Sequence, residues 1–280
     1  MKIRKLLIAN RGEVALRIAR AAADLGLASV AVHAADDAHA PHVRAAGESL
    51  ALDATGPAAY LDIPRLIAIA RSTGCDAVPP GYGFLSERAD FASACAAAGI
   101  TFVGPGAEHL VLFGDKARAR SLAAQCGVPL LPGSAQAVSL AEAQAFFAAQ
   151  GGAGVMIKAV GGGGGRGMRA VTDAKELPAA YARCVSEARG FGVEGVYVER
   201  LMRHARHVEV QVIGDGDAVM SLGERECSLQ RRFQKLVEIA PSPSLAEPLR
   251  ERLVQAALTM ARAAAYRSLG TFEFLVDAAS

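Results

Sequence analysis

The chain has 280 residues, 52% of them hydrophobic, five cysteines and a formal net charge of +2. That apolar share can fill a core and excludes a disordered chain. The near-neutral balance excludes a general pull toward nucleic acid or membrane, so any anion site must be built locally. The cysteines (Cys75, Cys95, Cys126, Cys184, Cys227) are odd in number and form no C-x-x-C. This argues against a disulfide framework or a structural zinc and fits a reducing cytoplasm. No stretch is long and uncharged enough to span a bilayer. The first apolar run is too short for a signal peptide and is broken by Asn10-Arg11-Gly12-Glu13.

Strand and helix patterns alternate over the first hundred or so residues. Lys5–Ala9 predicts a buried strand, and Glu13–Leu25 a helix stopped by Gly26. Ala28–His33 predicts a strand, Asp62–Ser72 a helix, and Asp76–Val78 a strand broken at Pro79-Pro80-Gly81. Arg88–Ala98 predicts a helix and Ile100–Val103 a strand. Such alternation with short loops implies a parallel sheet covered by helices on both faces. After Gly114 the pattern changes. Helices are expected at Asp115–Cys126, within Ala135–Gln150 and at Asp173–Arg189. Val155–Ala159 and Met168–Val171 read as an antiparallel hairpin around a glycine loop. Val196–Glu199 is a further strand. Arg206–Ile213 alternates strictly, with Ala218–Gly223 as its antiparallel partner. A long amphipathic helix near Ala246–Ala265 precedes a last strand, Gly270–Asp277. The organisation is an α/β domain to about Gly114 and a mixed α+β region after it, with no internal repeat and no long linker.

Five consecutive glycines, Gly161 to Gly165, followed by Arg166-Gly167 are the most informative feature. Glycine between strands is costly. Close approach of backbone N–H groups to a polyphosphate, or a lid that closes over substrate, would justify the cost. A plain flexible linker is the alternative, but the run is flanked by strands and lies just after Lys158. A P-loop is excluded, because no Lys-Ser/Thr follows the glycines. Lys158 ends an apolar strand beside the lid and suits a phosphate contact. Lys116 stands at a helix start, where a cation is unfavourable unless an anion is near.

Arg225 to Lys235 holds four cations in eleven residues. With the lid upstream, an anion-binding face is preferred over a solvated basic stretch, and nothing around it suits nucleic acid. His207 shares one strand face with Glu209 and Gln211, either a solvent face or the polar floor of a cleft. Glu273 interrupts an apolar strand, so it faces solvent, pairs with a cation or binds Mg²⁺.

Together these segments resemble biotin carboxylase, the ATP-grasp ligase component of biotin-dependent acyl-CoA and pyruvate carboxylases. The carriers are Ile8–Glu13, Pro80–Glu87, Gly114–Lys116, Ile157–Ala159, Gly161–Met168, Arg206–Glu209, Cys227–Arg232 and Gly270–Phe274, in the family's order over nearly the whole chain. The resemblance implies a Rossmann-like N-terminal domain (1–114) and an ATP-grasp domain (115–280) incomplete at its C-terminus, with a glycine-lid subdomain at about 132–203. Lys116 and Lys158 would contact ATP phosphates. Gly163, Gly164, Gly165, Arg166 and Gly167 would belong to the lid. Glu199, Arg200, Leu201 and Met202 would meet the adenine, partly by backbone groups. His207 and Gln230 would line the nucleotide site, Lys235 would lie near bicarbonate and the γ-phosphate, and Glu273 would bind Mg²⁺ or Mn²⁺. The family activates bicarbonate with ATP as carboxyphosphate and then carboxylates biotin, delivered on a carrier domain and passed to a carboxyltransferase.

The chain departs from the family at Pro79 and Phe233, where histidines are usual; Phe233 cannot hydrogen-bond a nucleotide. Ile239 before Ala240-Pro241 is similar to large multidomain carboxylases. The resemblance also implies a second metal carboxylate, a catalytic arginine and a base beyond Ser280, so the 280-residue chain alone is expected to be inactive. The competing expectations are another ATP-grasp ligase, such as carbamoyl-phosphate synthase, or a non-catalytic ATP-binding protein.

Overall fold

The computed structural model describes residues 2–134, 136–160, 167–190, 195–231 and 234–278. Two compact units are present, Met1–Val111 and Leu112–Ser280.

The first unit is a parallel five-stranded sheet of order β3-β2-β1-β4-β5, with β1 Lys5–Ile8, β2 Ala28–His33, β3 Glu48–Ala51, β4 Ala77–Val78 and β5 Thr101–Phe102. Its helices are α1 Gly12–Asp24, α2 Pro41–Ala45, α3 Ile63–Ser72 and α4 Ala89–Ala97, with α5 Ala107–Gly114 at the division between the units. Strand alternation sorts the core. Ile8 packs with Ala15 and Ala19 of α1. Leu7, Val30, Val32 and Val78 pack on the other face with Leu66 and Ile69 of α3 and Phe91 of α4. The expected two-sided parallel sheet is thus realised. The sequence patterns missed α2, β3 and α5, the first two because they are too short to show a period. Asp62 is the cap of α3, accepting from Arg65 N at 3.0 Å, so that helix starts one residue later than its periodicity suggested.

Two motif segments turn out to be partners. Asn10 Nδ2 donates to Pro80 O at 2.7 Å and to Tyr82 O at 2.9 Å. Gly81 has φ +69°, and a Cβ there would lie 2.4 Å from Val14 Cγ1. Only glycine lets this turn close onto α1.

His42 on α2 is 1% exposed, and neither ring nitrogen makes a well-formed hydrogen bond. Burial pushes its pKa below the ordinary 6.5, against its approach to the Val32 backbone and the charge of Asp37, and alongside the charges of His33 and Arg11. The unfolded chain therefore binds this proton more readily. His42 should contribute no pH dependence above about pH 6.5 and should destabilise the fold as pH falls from there through its folded pKa. Urea midpoints of the native chain should decline over that window, and His42→Gln should flatten the decline.

The second unit holds two antiparallel sheets. The first has order β7-β6-β8, with β6 Val155–Ala159, β7 Met168–Val171 and β8 Val196–Arg200. The expected hairpin is present, its last pair being Lys158 with Met168. Val155, Ile157, Val196 and Val198 bury one face against α7 Leu140–Ala149 and α8 Leu177–Gly190. α7 starts with a Ser139–Glu142 capping box. The second sheet has order β11-β10-β9-β12, with β9 Ala205–Asp215, β10 Val219–Arg231, β11 Gln234–Ile239 and β12 Arg267–Asp277. Val208, Val210 and Val212 of β9 pack on α9 Glu247–Ala263. The helix α6 Lys116–Gln125 is capped by Asp115, which accepts from Ala117 N and Arg118 N. The expected partner of β9 ended at Gly223, but β10 runs on to Arg231, and β11 follows. The described residues of the basic segment are therefore strand.

Candidate functional site

Alternation in β6 and β8 leaves Lys158, Tyr197 and Glu199 on the sheet face turned away from α7 and α8. Lys158 pairs in register with Tyr197, and its ammonium forms an ion pair with the buried carboxylate of Glu199. The ammonium groups of Lys116 and Lys158 lie 5.7 and 6.0 Å from the Tyr197 ring centroid, within cation–π range. Burial lowers the pKa of Lys116, and the charge of Lys158 lowers it further, against Glu199 and Glu273. Two cations thus lie within reach of one aromatic ring, Lys158 paired with Glu199, and ammonium groups so placed suit the oxygens of a polyanion. Beside them, a cavity of about 180 Å³ is lined by Lys116, Arg120, Ser134, Gln136, Val160 and Tyr197, among others. Tyr197 was not singled out from the sequence. Its alternation with Glu199 in the run Val196–Arg200 was the available signal.

The second cluster lies on the open face of the β11-β10-β9-β12 sheet. Glu209 pairs across the ladder with Glu273 on one side and Arg225 on the other. Its carboxylate is fully buried and holds both Arg225 and Lys235. Lys235 also reaches Glu273 at 2.7 Å, and Arg225 reaches Glu238 at 2.6 Å. His207 Nε2 stands 3.8 Å from Glu273, and His207 Nδ1 is 3.0 Å from Gln230 Nε2. Burial would lower the Lys235 pKa, but its bonds to Glu209 and Glu273 raise it well above the ordinary lysine value. Burial would raise the Glu273 carboxyl, yet Lys235, His207 and Lys116 together hold it below the ordinary value. The mutual effect of Lys116 and Glu273 connects the two clusters.

Among the predicted residues, Lys116, Lys158 and Glu199 thus come together, as do His207, Gln230, Lys235 and Glu273. Of the four basic residues, Arg225 and Lys235 face the cluster, Arg231 is paired in the β10–β11 ladder, and Arg232 lies outside the described residues. Arg200 exposes its side chain, and its N–H is used by Pro132 O; Leu201 N–H is used by Gly154 O. Met202 N–H has no acceptor among the described residues. Gly167 directs its N–H at Glu187 Oε2, 3.0 Å away. Gly163, Gly164, Gly165 and Arg166, with Phe233, lie outside the described residues. Glu209 and Arg225 stood in the quoted motifs, but nothing in the sequence marked Glu209 as the hub.

Glu273, with its side chain 55% exposed, and Glu209 offer hard oxygen donors that already hold one cation, the Lys235 ammonium. That donor type suits Mg²⁺. Glu209, Cys227 and Glu238 also lie within 4.8 Å of one another. That group is no cation site. Arg225 bonds both carboxylates, and burial, with Glu209 beside it, pushes the Cys227 thiol up to about 12.

Residues 2–110 match the family described as biotin carboxylase, N-terminal domain, and residues 115–280 match the family described as carbamoyl-phosphate synthase L chain, ATP binding domain. The chain is 46% identical to a biotin carboxylase of Nostoc sp. over 99% of its length and 63% of that protein. The chain belongs to the biotin carboxylase family. It is also 47% identical to the pyruvate carboxylase of Staphylococcus aureus, over 99% of this chain and 24% of that one. A biotin carboxylase domain of 2-oxoglutarate carboxylase from Hydrogenobacter thermophilus, solved with MgADP, ADP and bicarbonate, superposes with a TM-score of 0.96 at 39% identity, covering 100% of this chain and 62% of that one. The chain therefore spans about a quarter of the pyruvate carboxylase and under two thirds of the biotin carboxylase. As in such carboxylase domains, a parallel-sheet unit precedes antiparallel sheets with helices. Among the described residues, no helix is long and apolar enough to cross a membrane.

Proposed function

We propose that this chain contributes the nucleotide site of a biotin carboxylase, binding MgATP for the activation of bicarbonate and the carboxylation of biotin. The observation that carries this reading is the pair of ammonium groups on Lys116 and Lys158, poised around Tyr197, with Lys116 also coupled electrostatically to Glu273. Under this reading 1–114 is the N-terminal domain and 115–280 carries the ATP-grasp fold. Lys116 and Lys158 neutralise phosphate oxygens as charge moves during phosphoryl transfer. Glu273 would help to hold Mg²⁺, which would supply positive charge against the charge that develops on the phosphoryl group. Lys235, kept cationic by Glu209 and Glu273, offers a fixed positive charge to bicarbonate and the phosphoryl group. Met202 N–H offers a backbone donor to the adenine, while Arg200 and Leu201 fix the strand end with their own N–H groups. Biotin arrives on a carrier domain, and a carboxyltransferase uses the product. The five unpaired thiols favour a cytoplasmic setting.

Calorimetric titration of the chain with MgATP and MgADP tests the site directly. Saturable binding is expected; none would sink the reading. A pH arm adds detail. Lys116 has a lowered pKa in the free protein, and an anion would favour its charged form. Binding should therefore take up protons at alkaline pH. Affinity should be constant below the free-state pKa of Lys116 and fall as pH rises through it. Titrations in buffers of different ionisation enthalpy should reveal the proton uptake, and Lys116→Met should remove it.

A further inference from the structure

On the face of β9 and β10 packed toward α9, Glu226 is the centre of a buried polar network. Its Oε2 accepts from Arg206 Nη2 at 2.5 Å and from Ser242 Oγ at 2.8 Å. Its Oε1 accepts from Ser228 Oγ. Arg206 also donates to Ser242 Oγ at 2.9 Å and to Ser244 O at 2.9 Å. None of these groups belongs to the proposed nucleotide site, which occupies the opposite face.

One member of the network crosses over. The β9–β10 ladder runs from Gly214 with Val219 to Val208 with Glu226 and stops there. His207 is the next residue of β9, and it has no register partner on β10. Ser228 Oγ takes that place, accepting from His207 N at 2.8 Å. A hydroxyl has one proton. Since that proton goes to Glu226, the lone pairs of Ser228 are left aimed at His207. The relay therefore has a fixed polarity, from the His207 N–H to Ser228 to the Glu226 carboxylate. On the β12 side His207 stays in register with Leu275, but on the β10 side a single bond to a side chain takes over from the ladder, at the residue whose imidazole lies between Gln230 and Glu273.

We propose that Glu226 is a positioning residue for the nucleotide site, holding His207 in place through the hydroxyl of Ser228. This rests on the reading of that face as the nucleotide site. The physical reason for a carboxylate is its capacity: three donors converge on it, and an amide at the same position offers one acceptor oxygen and two unwanted donors. Replacement by glutamine forces Ser228 to turn its proton elsewhere or to lose a partner. The His207 N–H then competes for a hydroxyl whose orientation is no longer set. The guanidinium of Arg206 keeps the carboxylate charged, since its hydrogen bond, with those of Ser228 and Ser242, outweighs the effect of burial and holds Glu226 below the ordinary carboxyl range.

The experiment compares Ser228→Ala, Ser228→Thr, Glu226→Gln and Arg250→Met in the full chain. Imidazole NMR signals of His207, assigned by their loss in His207→Asn, are the first readout, and MgADP affinity by calorimetry is the second. Ser228→Ala and Glu226→Gln should shift the His207 signals and weaken MgADP by roughly 5- to 30-fold, as expected for losing one oriented hydrogen bond at a charged site. Ser228→Thr keeps the hydroxyl and should restore both readouts. Arg250→Met breaks the adjoining pair with Glu224, 2.8 Å long, and a 3.3 Å bond to Ser242 O, but touches neither Ser228 nor the Glu226 carboxylate, and should leave the His207 signals in place. His207 signals unmoved by Ser228→Ala, or moved equally by Arg250→Met, would overturn the positioning role. Shifted signals with unchanged MgADP affinity would overturn its link to the nucleotide. A native chain that binds no MgADP would instead overturn the nucleotide-site reading, and the NMR comparison would then decide the positioning of His207 alone.

Discussion

Lys158→Met should weaken MgADP binding by about 100-fold or more and destabilise the fold by roughly 3 kcal/mol, because one lysine serves two partners. Its ammonium sits at the end of β6 with its side chain 15% exposed, and its partner Glu199 is 7% exposed. Methionine fills the same space but leaves the Glu199 carboxylate buried without its cation. Removing one member of a buried pair costs more than the pair contributes, because the remaining charge loses both water and partner. The nucleotide effect has a separate origin, the loss of one of two cations around Tyr197. The double variant Lys158→Met/Glu199→Gln distinguishes the two. It should recover most of the thermal stability, since no unpaired charge remains, and none of the affinity. If the double variant regains affinity along with stability, the binding loss was a folding effect and the phosphate role of Lys158 is wrong.

The second large effect is expected at Glu209. Glu209→Leu removes a fully buried carboxylate from between Arg225 and Lys235. Each cation keeps one partner, Glu238 and Glu273 respectively, so collapse is not expected. A loss of about 3 kcal/mol is, with a melting temperature lower by roughly 6–12 °C for a chain of this size. An unchanged melting temperature would mean that the buried carboxylate contributes nothing. The acid limb should respond differently. Glu273 is held below its ordinary carboxyl value of 4.5. Its contribution is therefore present above that value and lost as pH falls through the lower, folded value. Glu273→Gln should remove this part of the acid sensitivity. Glu209→Leu should retain it, because Lys235 then rests on Glu273 alone.

Much of the site could be read one segment at a time. The Val-Met-Ile-Lys158 strand and the glycines beyond it announced a hairpin carrying a cation toward an anion, and the hairpin is present. Arg206–Ile213 announced a strand with His207 and Glu209 on one face. It left open whether that face met solvent or formed a floor, and Glu209 proved to be wholly buried. Arg225–Lys235 was legible only as a concentration of charge. A run with charges on both faces has no period, because β10 faces the polar cluster on one side and the Glu226 network on the other. That is why Glu226, the partners of Arg225 and the extent of β10 escaped notice.

The sequence by itself determined most of the longer local elements, the two-sided parallel sheet and the family. Those follow from periodicity, caps and motif order, which are properties of neighbouring residues. The tertiary structure alone decided which charges meet: Lys158 with Glu199, Lys235 with Glu209 and Glu273, and His207 with Ser228. These pairs are 21 to 41 residues apart, and only strand register brings them within bonding distance. Charge at such separations has no preferred partner until packing removes the water between them.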